Sequence, residues 1–209
     1  MYNATPLIEF AKTIVQFILA GLLLAKWISS KERFYTDIPF LFSMLFMFVA
    51  IGEALDALFD AQLLLATLEL YKVRLFIAVT GLTFIVFLLF VIWVRKNYRY
   101  HLVFSASFLG IFGSLILISE NATTALLVAS IAIILVAIPS GITLIVIWRL
   151  KRLPEFHSLL AAIAIVIIVL GQILENILSG SSILWISEGV DLLGWITLYL
   201  STVIRPNYT

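Results

Sequence analysis

The chain has 209 residues, 63% of them hydrophobic, with a formal net charge of +1, no cysteine and two histidines. Mean hydropathy of +1.17 lies far outside the range of a soluble domain and leaves no length for a soluble catalytic or nucleic-acid-binding unit. Disulfides, iron–sulfur clusters and thiol chemistry are excluded, and His101 and His157 alone make a poor histidine metal or haem site.

Seven apolar runs follow, at 6–28, 34–60, 72–95, 100–119, 122–149, 156–179 and 183–204, each near or above the ~20 residues that cross a bilayer as a helix. The expectation is an all-α integral membrane protein of the cell membrane, with residues 1–209 as one seven-helix transmembrane domain. Lys12 interrupts the first run and no basic region precedes it, so that run reads as a retained helix and not a cleaved signal. Ten Lys and Arg follow the odd-numbered spans (Lys26, Lys31, Arg33, Arg95, Lys96, Arg99, Arg149, Lys151, Arg152, Arg205), against Lys72 and Arg74 on the other side. That bias predicts an outer N-terminus and a cytoplasmic C-terminus. Asn121-Ala122-Thr123 and Asn3-Ala4-Thr5 then fall outside as glycan acceptors, while Asn207-Tyr208-Thr209 carries the same pattern on the wrong side.

Span one carries Glu9, Lys12 and Gln16 at helical spacing, which reads as a local Glu–Lys pair with the lysine stem snorkelling outward. Span two ends in Gly52-Glu53-Ala54-Leu55-Asp56-Ala57-Leu58-Phe59-Asp60, with its three carboxylates on one helical face. Asp60 reads as interfacial, so Glu53 and Asp56 are the acids that need a partner. Span three opens with Lys72 and Arg74, and Arg74 suits either a carboxylate on a neighbouring helix or lipid headgroups.

Span four sets Ser107, Gly110 and Ser114 on one stripe beside Gly113, a close-packing pattern. Span five holds Pro139-Ser140-Gly141 and Thr143, where a kink is expected. Span six ends in Gly171-Gln172-Ile173-Leu174-Glu175, with Gln172 and Ser179 on the side of Glu175. Span seven aligns Glu188, Asp191, Trp195, Tyr199 and Thr202 near one face.

The motif Gly-[Glu/Gln]-x-Leu-[Asp/Glu] closes both span two and span six. It suggests parallel repeats over 6–95 and 122–204 joined by a linker helix at 100–119, a 3+1+3 plan. In topology this resembles the broad architecture shared by SWEET-type sugar transporters and microbial rhodopsins. The Pro-Gln signature of the former is absent. Where a rhodopsin's seventh helix has its retinal lysine one turn after an aspartate, Asp191 is followed by Trp195, so retinal linkage is excluded. No other cofactor is indicated.

Glu53, Asp56, Glu175, Glu188 and Asp191 thus share the outer half of the membrane with Lys12 and Arg74. Five acids against two bases leave carboxylates to be neutralised by protons, cations or water. These seven residues are the candidate ligand- or ion-binding set; the metal, if one binds, is undetermined, and no catalytic residue is assigned. Transport of a proton, cation or small cationic solute leads, because the acids extend inward at several depths. A receptor or an accessory subunit of a larger membrane complex, without transport activity of its own, is the second reading. A metal-assisted lipid enzyme comes last, since no nucleophile–base pair is present. An ion-pair network that only orients helices stands beside these. Expected partners are the lipid bilayer, a small cation or solute, and either further copies or a partner membrane subunit; nucleic acid is not among them.

Overall fold

The computed structural model describes residues 5–94, 98–153, 155–178 and 183–206. The Asn3 and Asn207 acceptor sites, Arg95, Lys96 and Ser179 lie outside them. The described residues form seven helices and no strand: α1 (Thr5–Ile28), α2 (Ile38–Asp60), α3 (Leu68–Trp93), α4 (Tyr98–Leu117), α5 (Ala122–Arg149), α6 (Ser158–Leu178) and α7 (Trp185–Val203). Six, α1 to α6, are long and apolar enough to cross a membrane. The seventh carries Glu188 and Asp191 within 19 residues.

Local chemistry sets the helix starts. α2 begins at Ile38 and not at 34, because Asp37 accepts the Phe34 backbone N–H (3.0 Å) in a turn and Pro39 falls in the first helical positions. α3 starts four residues earlier than its apolar run, capped by the Thr67 hydroxyl, which accepts the Leu70 N–H at 3.4 Å. Lys72 is therefore buried inside α3, paired with exposed Glu69 at 3.4 Å. Asn121 caps α5 by accepting the Thr124 N–H at 2.8 Å.

The connections are short, so each helix runs against its predecessor. α1, α2, α3, α5, α6 and α7 close a ring of neighbours in that order, with α1 packed on both α2 and α7. α4 stays outside the ring, against α3 and α5. The main core, including Leu23, Phe42, Phe46, Phe87, Leu144, Trp195 and Leu198, packs inside the ring; a second, including Leu75, Val79, Ile116 and Ala129, joins α4 to α3 and α5. The outside of the bundle is as apolar as the inside: Ile14, Ile18, Ile134, Ile138, Val166 and Leu193 are exposed. A continuous apolar exterior of this kind is matched to hydrocarbon and not to water.

Two glycines bring α6 and α7 into contact. A Cβ on Gly194 would stand 2.6 Å from Ile168 Cγ1 and 2.9 Å from its backbone nitrogen, and one on Gly171 would stand 3.0 Å from the Asp191 backbone. The stripe expected to pack α4 does not do so. Ser107, Gly110 and Ser114 are exposed, and α4 buries His101, Ser105, Gly113 and Ile116 instead. Phe76 of α3 lies against Gly113, which rotates the small-residue stripe away from the bundle. Pro139 lies inside α5, and the Ser140 hydroxyl donates to the Val136 carbonyl (2.6 Å) one turn back.

Candidate functional site

At a rise of ~1.5 Å per residue, Lys12 lies about 10 Å into α1 from its start, Asp191 about 9 Å into α7, and Glu53 about 10 Å before the end of α2. α1 and α7 enter the bundle from the end at which α2 leaves it, so the three positions share one layer. The Lys12 ammonium lies 2.7 Å from Glu53 Oε2, 2.5 Å from Glu188 Oε2 and 3.4 Å from Asp191 Oδ2. Lys12, Glu188 and Asp191 are buried, and Glu53 is largely so.

The lysine does not snorkel outward, and Glu9 is not the partner that holds it. The ammonium turns inward because α2 and α7 together offer three carboxylates, which outweigh one i,i+3 neighbour on its own helix. Glu9 is itself buried, and its Oε2 has no hydrogen-bond partner among the described residues. The same is true of Asp191 Oδ1, Thr13 Oγ1 and both amide atoms of the fully buried Gln16. Glu9, Lys12, Thr13 and Gln16 recur at the spacing of one helical face, so α1 presents a buried polar seam. Buried polar atoms without partners are costly and mark places where a ligand, an ion or water completes the bonding.

A second pair stands beside the first. Arg74 of α3 donates from Nε (2.8 Å) and Nη2 (2.5 Å) to Asp56 Oδ2, with both side chains about three-quarters buried. Glu53 and Asp56, whose spacing suits a divalent metal, thus turn to different cations on different helices. Among the described residues no group of three metal-ligating side chains is placed to hold a metal ion. Glu175 is half-buried on α6 and accepts from Gln172 at 3.4 Å, at the weak end of hydrogen bonding. It joins neither ion pair.

Of the seven candidate residues, the fold therefore gathers Lys12, Glu53, Glu188 and Asp191 into one cluster, sets Arg74 and Asp56 together, and holds Glu175 nearby without a direct ion pair. Trp195 is a further member: its indole N–H donates to Asp191 Oδ2 at 3.1 Å, one turn deeper on α7. The sequence signal was present in the i,i+4 spacing of Asp191 and Trp195. The histidines serve structure, His101 Nε2 bonding the Val94 carbonyl (2.7 Å) and His157 Nδ1 accepting the Leu160 N–H (3.2 Å) at the start of α6.

No family model, curated protein or solved structure matches the chain. The function therefore rests on the chemistry of the site itself.

Proposed function

We propose that the protein is a seven-span membrane transporter or channel in which the Lys12 cluster binds and passes a proton, a small cation or a cationic solute. One observation carries this reading: a single buried ammonium faces three carboxylates, with Glu9, Thr13, Gln16 and a free oxygen of Asp191 unpartnered around it. In a low-dielectric interior one lysine cannot balance that charge, and a mobile counter-charge restores neutrality. Lys12 acts as a tethered cation. A proton or cation arriving at one carboxylate weakens that carboxylate's hold on the ammonium, which shifts toward the remaining two.

The membrane arrangement belongs to the same proposal. At ~1.5 Å per residue the 19 residues of α7 reach about 28 Å, close to the hydrocarbon thickness, which supports α7 as a seventh span. The bias of ten basic residues against two supports a cytoplasmic C-terminus, with the cluster in the outer half. The position of α4, touching α3 and α5 outside the ring, supports its role as the linker of a 3+1+3 plan. In this plan the two halves differ at the site: Asp56 pairs with Arg74, while Glu175, at the matching position, has Gln172 as its neighbour.

The test is proton and cation flux into liposomes holding the purified protein. Wild type acidifies or loads the lumen, and Asp191→Asn or Glu53→Gln abolishes flux while keeping helical content. A second reading, a receptor or accessory subunit, is favoured by one observation, the predominantly apolar lining beneath Trp195. It predicts no flux from wild type and co-purification with a fixed partner.

A further inference from the structure

Beneath the ion cluster, α2, α3, α5, α6 and α7 line a partly open cavity of about 120 Å³. Phe42, Leu45, Leu88, Val136 and Leu144 are among its wall residues, with Trp195 on the wall nearest the cluster. Only Ser140, Thr143 and Trp195 bring polar atoms to its lining, and all three are engaged elsewhere. Ser140 donates to the Val136 carbonyl, Thr143 Oγ1 accepts the Trp93 indole N–H (2.8 Å), and Trp195 donates to Asp191. A water molecule needs two to four polar partners, which this lining does not supply, so the cavity favours an apolar occupant over water. Cavities of about 150 Å³ lined by Leu, Ile and Phe take up benzene and xenon. Ile133 lines the cavity and is also 37% exposed on the outside of α5, so the cavity lies against the surface that faces hydrocarbon.

We propose that this cavity is a binding site for a small uncharged apolar molecule, of the size of a single hydrocarbon ring, drawn from the lipid phase, with the Trp195 indole as its contact to the ion cluster. An apolar occupant supplies the dispersion contacts that the lining lacks when the cavity is unfilled. The indole is edge-on to Phe46, with ring centres 5.3 Å apart, and spans from the cavity to Asp191. An occupant therefore touches the same side chain that holds the carboxylate. The site is independent of whether the cluster moves ions.

The experiment uses the full chain in detergent with iodobenzene, a heavy-atom quencher, as the probe. Trp195 emission is taken as the difference between wild type and Trp195→Phe. Saturable loss of that emission is expected, together with a rise in the unfolding temperature. Ala137→Phe, which fills the cavity, is expected to abolish both effects. Where Ala137→Phe fails to fold, Val169→Leu is expected to weaken the saturable component. Quenching that grows linearly with iodobenzene, and is equal in wild type and the filled variant, reports partition into detergent and overturns the proposal.

Discussion

Lys12 and Glu188 are 176 positions apart and meet at 2.5 Å, closing the ring between its first helix and its last. A lysine buried among three carboxylates holds α1, α2 and α7 in register. Replacement by methionine leaves the carboxylates without their cation. Loss of one partner of a buried ion pair costs about 3–5 kcal/mol. Lys12→Met is expected to unfold at a markedly lower temperature, and adding Glu53→Gln and Glu188→Gln to it should recover part of the loss. Thermal unfolding followed by circular dichroism in detergent decides this; a Lys12→Met protein as stable as wild type would show that the cluster holds nothing together.

Arg74 and Asp56 make a less buried pair than the Lys12 cluster, so its contribution is smaller. A double-mutant cycle between Arg74→Gln and Asp56→Asn should give a coupling of ~1 kcal/mol. Flux, by contrast, should survive Asp56→Asn better than Asp191→Asn, because Asp56 is engaged by Arg74 outside the Lys12 cluster. Equal loss of flux in the two variants would place the pathway through both pairs.

Gly194 sets the distance between α6 and α7. Gly194→Ala puts a methyl group 2.9 Å from the Ile168 backbone nitrogen and should destabilise by about 1–3 kcal/mol, the range for overpacking. Gly21→Ala, where an added Cβ meets nothing within 4 Å, is the matched control and should be neutral or slightly stabilising. Unfolding temperatures of the two variants, measured side by side, should separate clearly.

The number of helices and their approximate bounds are legible in the sequence because bilayer-length apolar runs are hard to mistake. Which face each helix turns inward is not. A helix between protein and lipid is apolar all round, as α3 and α5 are, so hydrophobic periodicity carries no direction. The α4 stripe shows the consequence: Ser107, Gly110 and Ser114 have the spacing of a packing face, and the actual face is set by Phe76 meeting Gly113. Charged residues are the exception, since they cannot face hydrocarbon. Glu53, Glu188 and Asp191 could be placed in one layer from span lengths alone. The side chain that binds them could not, because Lys12 has Glu9 one turn away and the preference for distant carboxylates exists only once α1 sits between α2 and α7.

The central claim, that the Lys12 cluster is a site for a mobile cation, is tested most directly by thermal unfolding across a panel of cations and pH values. The proteins compared are wild type, Asp191→Asn, and Asp60→Asn as an exposed control. Binding to the folded state raises its stability. The account predicts that one cation, or one pH range, stabilises wild type and Asp60→Asn alike and that Asp191→Asn loses the response. An identical response in all three proteins, or none to any condition, would contradict it and leave the cluster as a brace between helices.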